Sequence, residues 1–294
     1  MTFATKLLRL QLELLKPFTT GCSIETARKW QERLGELMAW QHRADVEYRE
    51  EAAGGIPGLW AAPKEAARGG VILYLHGGGY VGGDLEYARG FAAALAAGTR
   101  RSVFCIAYRL APEFPFPAAL EDALEAYRHL LRSGFSAGQV VLAGESAGGG
   151  LIYCLCLRLK ELGMPLPAGL IAISPWSDLT ESGASYEANR EADPSMTRER
   201  LRYYAACYTD DPAQPMASPL FGDLEGLPPS RIFAGGDEVM LDDAVRLHEK
   251  LLRAGCGSRL TVAPGMWHAY ILYHVREAEQ DYLDIDRFCT EVLS

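Results

Sequence analysis

No stretch of this 294-residue chain approaches the roughly 18 uncharged apolar residues needed to span a bilayer, so a membrane-spanning helix is excluded. The leucine-rich start, from Thr5 to Lys16, is interrupted by Lys6, Arg9 and Glu13. It therefore lacks the apolar core and the small-residue cleavage site of a signal peptide, and the protein is expected to be cytoplasmic. The pattern reads instead as an amphipathic helix whose apolar stripe folds over the protein's own core. Positive charge is also scarce. Lysine and arginine number 29 against 38 acidic residues, a formal net charge of -9. Such a surface has no general attraction for phosphate backbones or anionic lipid, so nucleic acid is not an expected partner. The seven cysteines are odd in number and scattered, with no CxxC pair and no histidine at zinc-ligand spacing. A disulfide framework and a structural metal are both unexpected. Internal repeats and low-complexity segments are missing too.

What remains is an ordinary globular chain, 49% hydrophobic and 23% charged, long enough for one α/β unit with insertions. From Val71 onward, short apolar runs alternate with segments of helical period. The runs are Val71 to Leu75, Val103 to Ala107, Val140 to Ala143, Leu170 to Ile173, Ile232 to Ala234 and Leu260 to Val262. Continuous apolar strands separated by helices predict a mostly parallel sheet covered on both faces. Asp45 to Trp60, with Gly54-Gly55 at its middle, reads as an antiparallel hairpin at one sheet edge, bringing the count to eight strands. Two regions break the alternation: residues 1–42, helical without a strand, and residues 176–229, a long excursion rich in Pro, Asp, Tyr and Arg. A connection of that length in a compact fold usually carries function, and both regions are expected to form a helical cap over the catalytic unit of residues 43–294. Its aromatic residues, Trp30, Trp176, Tyr186, Tyr203, Tyr204 and Tyr208, either line a pocket or pack the cap.

The strongest local signal is Gly144-Glu145-Ser146-Ala147-Gly148, which follows an apolar strand and opens a helical run. In that context the small residues permit a sharp strand-to-helix turn that lifts Ser146 clear of the sheet as a nucleophile. His76-Gly77-Gly78-Gly79 ends an earlier strand, where glycines let backbone amides approach an oxyanion. A serine hydroxyl needs a base, and the base needs a carboxylate. His42 and His76 precede Ser146, while His129 and His248 lie in helical patterns. His268 sits in a turn-rich loop after a strand, and His274 has the apolar neighbours of a packed residue, so His268 is the candidate base. For the acid, Asp237 and Glu238 both follow the preceding strand, and spacing does not choose between them. Asp242 and Asp243 read as carboxylates compensating the dipole of a helix start.

These motifs, with Tyr108-Arg109-Leu110-Ala111-Pro112-Glu113, Ser174-Pro175-Trp176-Ser177-Asp178-Leu179 and Pro264-Gly265-Met266-Trp267-His268, resemble those of the bacterial hormone-sensitive-lipase-like esterases from about residue 70 to the C-terminus. The resemblance implies an α/β-hydrolase fold and a serine carboxylesterase that needs no cofactor and acts on small esters. It implies a triad of Ser146, Glu238 and His268, because aligning Asp242 with the second acid of the family's D-x-L-x-D pattern puts the catalytic acid at Glu238. It also implies an oxyanion hole formed by the amides of Gly78, Gly79 and Ala147, and a homodimer paired through the last strand. Two positions depart from the family: Glu238 stands where an aspartate is usual, and Glu145 where Asp or Thr is. A lactonase or small-molecule deacetylase would use the same residues. A ligand-binding protein on this fold would lack the base, and His268 argues against it.

Overall fold

A computed structural model describes residues 1–65 and 67–293. Eight strands form one sheet in the order β1-β2-β4-β3-β5-β6-β7-β8. They are β1 Val46–Glu50, β2 Gly58–Pro63, β3 Val71–Leu75, β4 Ser102–Ile106, β5 Val140–Glu145, β6 Gly169–Ile173, β7 Ser230–Gly235 and β8 Ser258–Ala263. The first two pair antiparallel with each other and β2 runs antiparallel to β4; all later pairings are parallel. Gly54 and Gly55 turn the β1–β2 hairpin, each with positive φ, beside a bridge between Ala53 and Ile56.

The central strands β3, β5 and β6 are buried at every residue, which is why their sequences are apolar without alternation. Within them the two-residue period still decides partners. Val71, Leu73 and Leu75 belong to the same core as Leu120, Leu151 and Leu247, whereas Ile72 and Tyr74 belong to the core that holds Phe91 and Ile285. One face therefore carries α4 (Ala118–Arg132), α5 (Ala147–Glu161) and α8 (Leu241–Arg253). The other carries α3 (Leu85–Thr99) and α9 (Glu279–Val292). Asp84 caps α3 by accepting from Tyr87 N at 2.8 Å.

Residues 1–42 hold α1 (Phe3–Gly21) and α2 (Ile24–Gln41). Residues 176–229 contain only two α-helices among the described residues, α6 (Ser185–Ala188) and α7 (Arg198–Tyr208), and are otherwise mostly turns. Arginines tie these segments together. Arg9 of α1 reaches Asp237 at 2.8 Å, Gly265 O at 2.7 Å and Ala192 O at 2.6 Å, while Arg200 of α7 donates to Cys22 O at 2.5 Å. The expected docking of α1 by an apolar stripe is only half met. Leu8 and Leu12 pack on the core, but Phe3, Leu7, Leu10, Leu14 and Phe18 stay exposed on the opposite side. Leucines at 7, 8, 10, 12, 14 and 15 surround the helix, so no single face can bury them all.

Candidate active site

Ser146 joins β5 to α5 with φ 55° and ψ -122°, a conformation that a non-glycine residue holds only where its surroundings enforce it. Here they do. Its amide donates to Ile173 O at 2.9 Å, and its carbonyl accepts from Gly150 at 3.0 Å and Trp176 at 2.9 Å. A Cβ on Gly148 would lie 2.0 Å from Leu75 O, so the first turn of α5 packs against β3 only because that residue is glycine. The Ser146 side chain consequently stands at the helix N-terminus, where the dipole favours developing negative charge.

His268 lies in the loop after β8, and its Nδ1 sits 2.8 Å from Glu238 Oε2 in a buried contact. The second oxygen of Glu238 accepts from Ser174 Oγ at 3.0 Å and from Gly235 N at 2.5 Å. Burial raises the affinity of Glu238 for a proton, and the hydrogen bond to His268 offsets part of that rise. Burial pulls the His268 pKa down, but the hydrogen bond and charge of Glu238, with the charges of Asp193 and Glu145, together outweigh it, and the pKa ends above the ordinary histidine value.

The two neighbouring carboxylates point in different directions. Glu238 turns inward to His268, whereas Asp237 turns outward to Arg9. Asp242 and Asp243 stand in the first turn of α8 as expected, yet they also hold the 176–229 segment. Asp243 accepts from the amides of Ser177 and Asp178, both at 2.9 Å, and Asp242 from Ser185 N at 3.0 Å.

Gly78 and Gly79 have φ of 109° and 63° and, with Ser146 and His268, line a cavity of about 250 Å³. The amides of Gly78, Gly79 and Ala147 donate to no acceptor among the described residues. Preceding them, His76 is fully buried, stacks on Tyr108 and is held neutral by burial, with its pKa pushed down to about 4. The other histidines lie elsewhere: His129 on Glu51, His248 on Ser258, and His42 against His274.

The cavity wall comes from Leu15, Trp30 and Leu34 on the first two helices and from Met196, Leu201 and Tyr204 in the 176–229 segment. Of the aromatic residues singled out in the sequence, Trp30 and Tyr204 reach the cavity. Trp176, Tyr186 and Tyr208 pack in the core and Tyr203 points outward. Sequence reasoning assigned no role to Ser174, although it sits in a quoted motif. Its hydroxyl links Glu238 to Ala269 N, the residue after His268.

An α/β-hydrolase family model matches residues 72–272. An acetyl-hydrolase of Streptomyces hygroscopicus is 42% identical over 73% of this chain and 72% of its own. Among solved structures, an esterase from the bacterial hormone-sensitive lipase family superposes with a TM-score of 0.89 at 34% identity, covering 97% of this chain and 98% of that one. The chain belongs to that family. An esterase/lipase from an uncultured bacterium gives a TM-score of 0.93 at 34% identity over 100% and 99% of the two chains, so the first two helices and the 176–229 segment fall within the likeness. Family membership brings the enzyme class with it, carboxylic ester hydrolase.

Proposed function

We propose that this hydrolase is a serine carboxylesterase for short and medium acyl esters, working through Ser146, His268 and Glu238. The observation that carries the reading is the 2.8 Å contact between His268 Nδ1 and Glu238, with Ser146 on the same cavity at a strained strand-to-helix turn. With Nδ1–H donated to Glu238, the imidazole presents Nε2 as an acceptor. Ser146 Oγ attacks the ester carbonyl while Nε2 takes its proton. The amides of Gly78, Gly79 and Ala147 donate to the resulting oxyanion, and the alcohol leaves with the proton from His268. Water repeats the sequence on the acyl-enzyme, so the cycle consumes one water and needs no cofactor.

Residues 1–42 and 176–229 act as the cap that sets acyl length. Deacetylation of small acetates is the second reading, favoured by the name of the Streptomyces relative. As for assembly, β8 ends the sheet order and exposes Arg259 and Val262, and we assign a two-fold homodimer to that edge.

The nucleophile is tested by Ser146→Ala. Hydrolysis of p-nitrophenyl butyrate and labelling by a serine-directed phosphonate should both vanish while the fold persists. Near wild-type turnover in that variant would remove the serine mechanism.

A further inference from the structure

One buried acid at the cavity has no part in the cycle above. Glu145, next to the nucleophile, is 1% exposed and lines the cavity. Its Oε1 accepts from the backbone amide of Gly77 and from Tyr87 Oη at 3.1 Å, and its Oε2 from Tyr74 Oη at 2.6 Å. Three donors aimed at two oxygens suit a carboxylate, which only accepts; a neutral acid must donate its hydrogen and can do so only if a tyrosine hydroxyl turns round to accept it, because the Gly77 amide only donates. No lysine or arginine contributes to the set. The titratable groups around it are Tyr74 on β3, Tyr87 on α3, Tyr108 after β4, and His268.

Two consequences follow from where the donors come from. Gly77 immediately precedes Gly78 and Gly79, so the bond to its amide fixes the peptide that starts the oxyanion turn. The approach is close: a Cβ on Gly77 would lie 2.8 Å from Glu145 Oε1 and 3.1 Å from Ser146 Cβ. The charge of Glu145 also raises the proton affinity of His268, adding to the effect of Glu238.

We propose that Glu145, as a carboxylate, is a positioning residue for ester hydrolysis: it holds the Gly77–Gly79 turn in register for the oxyanion. This rests on the serine mechanism above. Burial, opposed by the three hydrogen bonds, pushes the Glu145 pKa up to about 7. Acidification therefore neutralises the residue, which weakens its acceptance from Gly77 N and withdraws its charge from His268. Full activity then requires two groups to be deprotonated, and the upper part of the acid limb of kcat/KM against pH should show two protons in the wild type.

The test compares wild type, Glu145→Gln and Glu145→Asp with p-nitrophenyl butyrate across the acid limb. Glu145→Gln should lose about 10- to 100-fold in kcat, with KM within about threefold, because misaligned oxyanion donors act on the transition state. Its limb should fall to one proton and move to lower pH, since removing a negative charge lowers the His268 pKa. Glu145→Asp keeps the charge and should keep the two-proton limb at reduced kcat. A Gln variant with kcat within about twofold of wild type, or with an unchanged two-proton limb, overturns the proposal. If the Gln variant does not fold, a one-proton limb in the wild type overturns it equally. Phosphonate labelling of Ser146 separates the two levels: wild type that is neither labelled nor active defeats the serine mechanism itself, whereas labelled, active protein indifferent to Glu145 defeats only this inference.

Discussion

Replacing Glu238 by Gln exchanges one carboxylate oxygen for an amide nitrogen and should disable the base. The retained oxygen takes over the bonds from Ser174 Oγ and Gly235 N, so the new amide nitrogen is placed against His268 Nδ1. An amide nitrogen donates, so the imidazole must present a bare Nδ1 and carry its proton on Nε2. In that tautomer Nε2 no longer accepts from Ser146, and the imidazolium loses its buried counter-charge. A wrong tautomer with intact geometry costs on the order of 10³ to 10⁴ in kcat, about 4 to 5.5 kcal/mol of barrier. Stability should move little, because the neutral amide relieves the burial that already disfavours the charged carboxylate. Asp237→Asn is the matched control. Arg9 keeps its two carbonyl partners, and a partly exposed ion pair is worth about 1 kcal/mol at most, so kcat should stay within about threefold of wild type. The assay is steady-state hydrolysis of p-nitrophenyl butyrate beside thermal melts of all three proteins. A Glu238→Gln enzyme with more than about a tenth of wild-type kcat would refute the tautomer argument. A disabled Asp237→Asn enzyme would transfer the acid role to the neighbour.

Two further outcomes are expected. In a chain-length series of p-nitrophenyl esters, kcat/KM should rise by about 0.8 kcal/mol per methylene only until the cavity of about 250 Å³ is full, and then fall; a monotonic rise to long-chain emulsions would mark a true lipase. Sedimentation at micromolar concentration should show a dimer that Leu260→Pro dissociates, whereas a 32.2 kDa species alone, or a dimer indifferent to that proline, would reject pairing through β8.

The sheet was legible because burial leaves uninterrupted apolar runs; β3 keeps its expected bounds, β4 is shifted by one residue, and β5 to β8 are one to three residues longer than their runs. Ser146 was legible because its turn demands small neighbours on both sides. His268 emerged by elimination, since the other histidines fall in helices, precede Ser146 or pack against aromatic neighbours. Asp237 and Glu238 were not separable by spacing: which of two adjacent side chains turns inward depends on the turn after β7 and on Arg9, more than 200 residues away in sequence. Ser174 was invisible for a similar reason, since a serine that orients a carboxylate carries no local pattern. The outward face of α1 was misjudged because leucines distributed around a helix give a strong apolar signal without saying which of them meets the core.

The cavity is assembled from two kinds of structure. Its chemical floor, Ser146, Gly78, Gly79 and His268, hangs on ends of buried strands. Its ceiling is lent by Leu15, Trp30 and Leu34 on one side and Met196, Leu201 and Tyr204 on the other, none of which hydrogen-bonds to Glu238 or His268. On the proposed mechanism, selectivity is open to rewriting one wall at a time, by enlarging or trimming side chains at these six positions while the strand-borne residues keep their geometry. A designer seeking a different acyl group should leave the strands alone and mutate the helices.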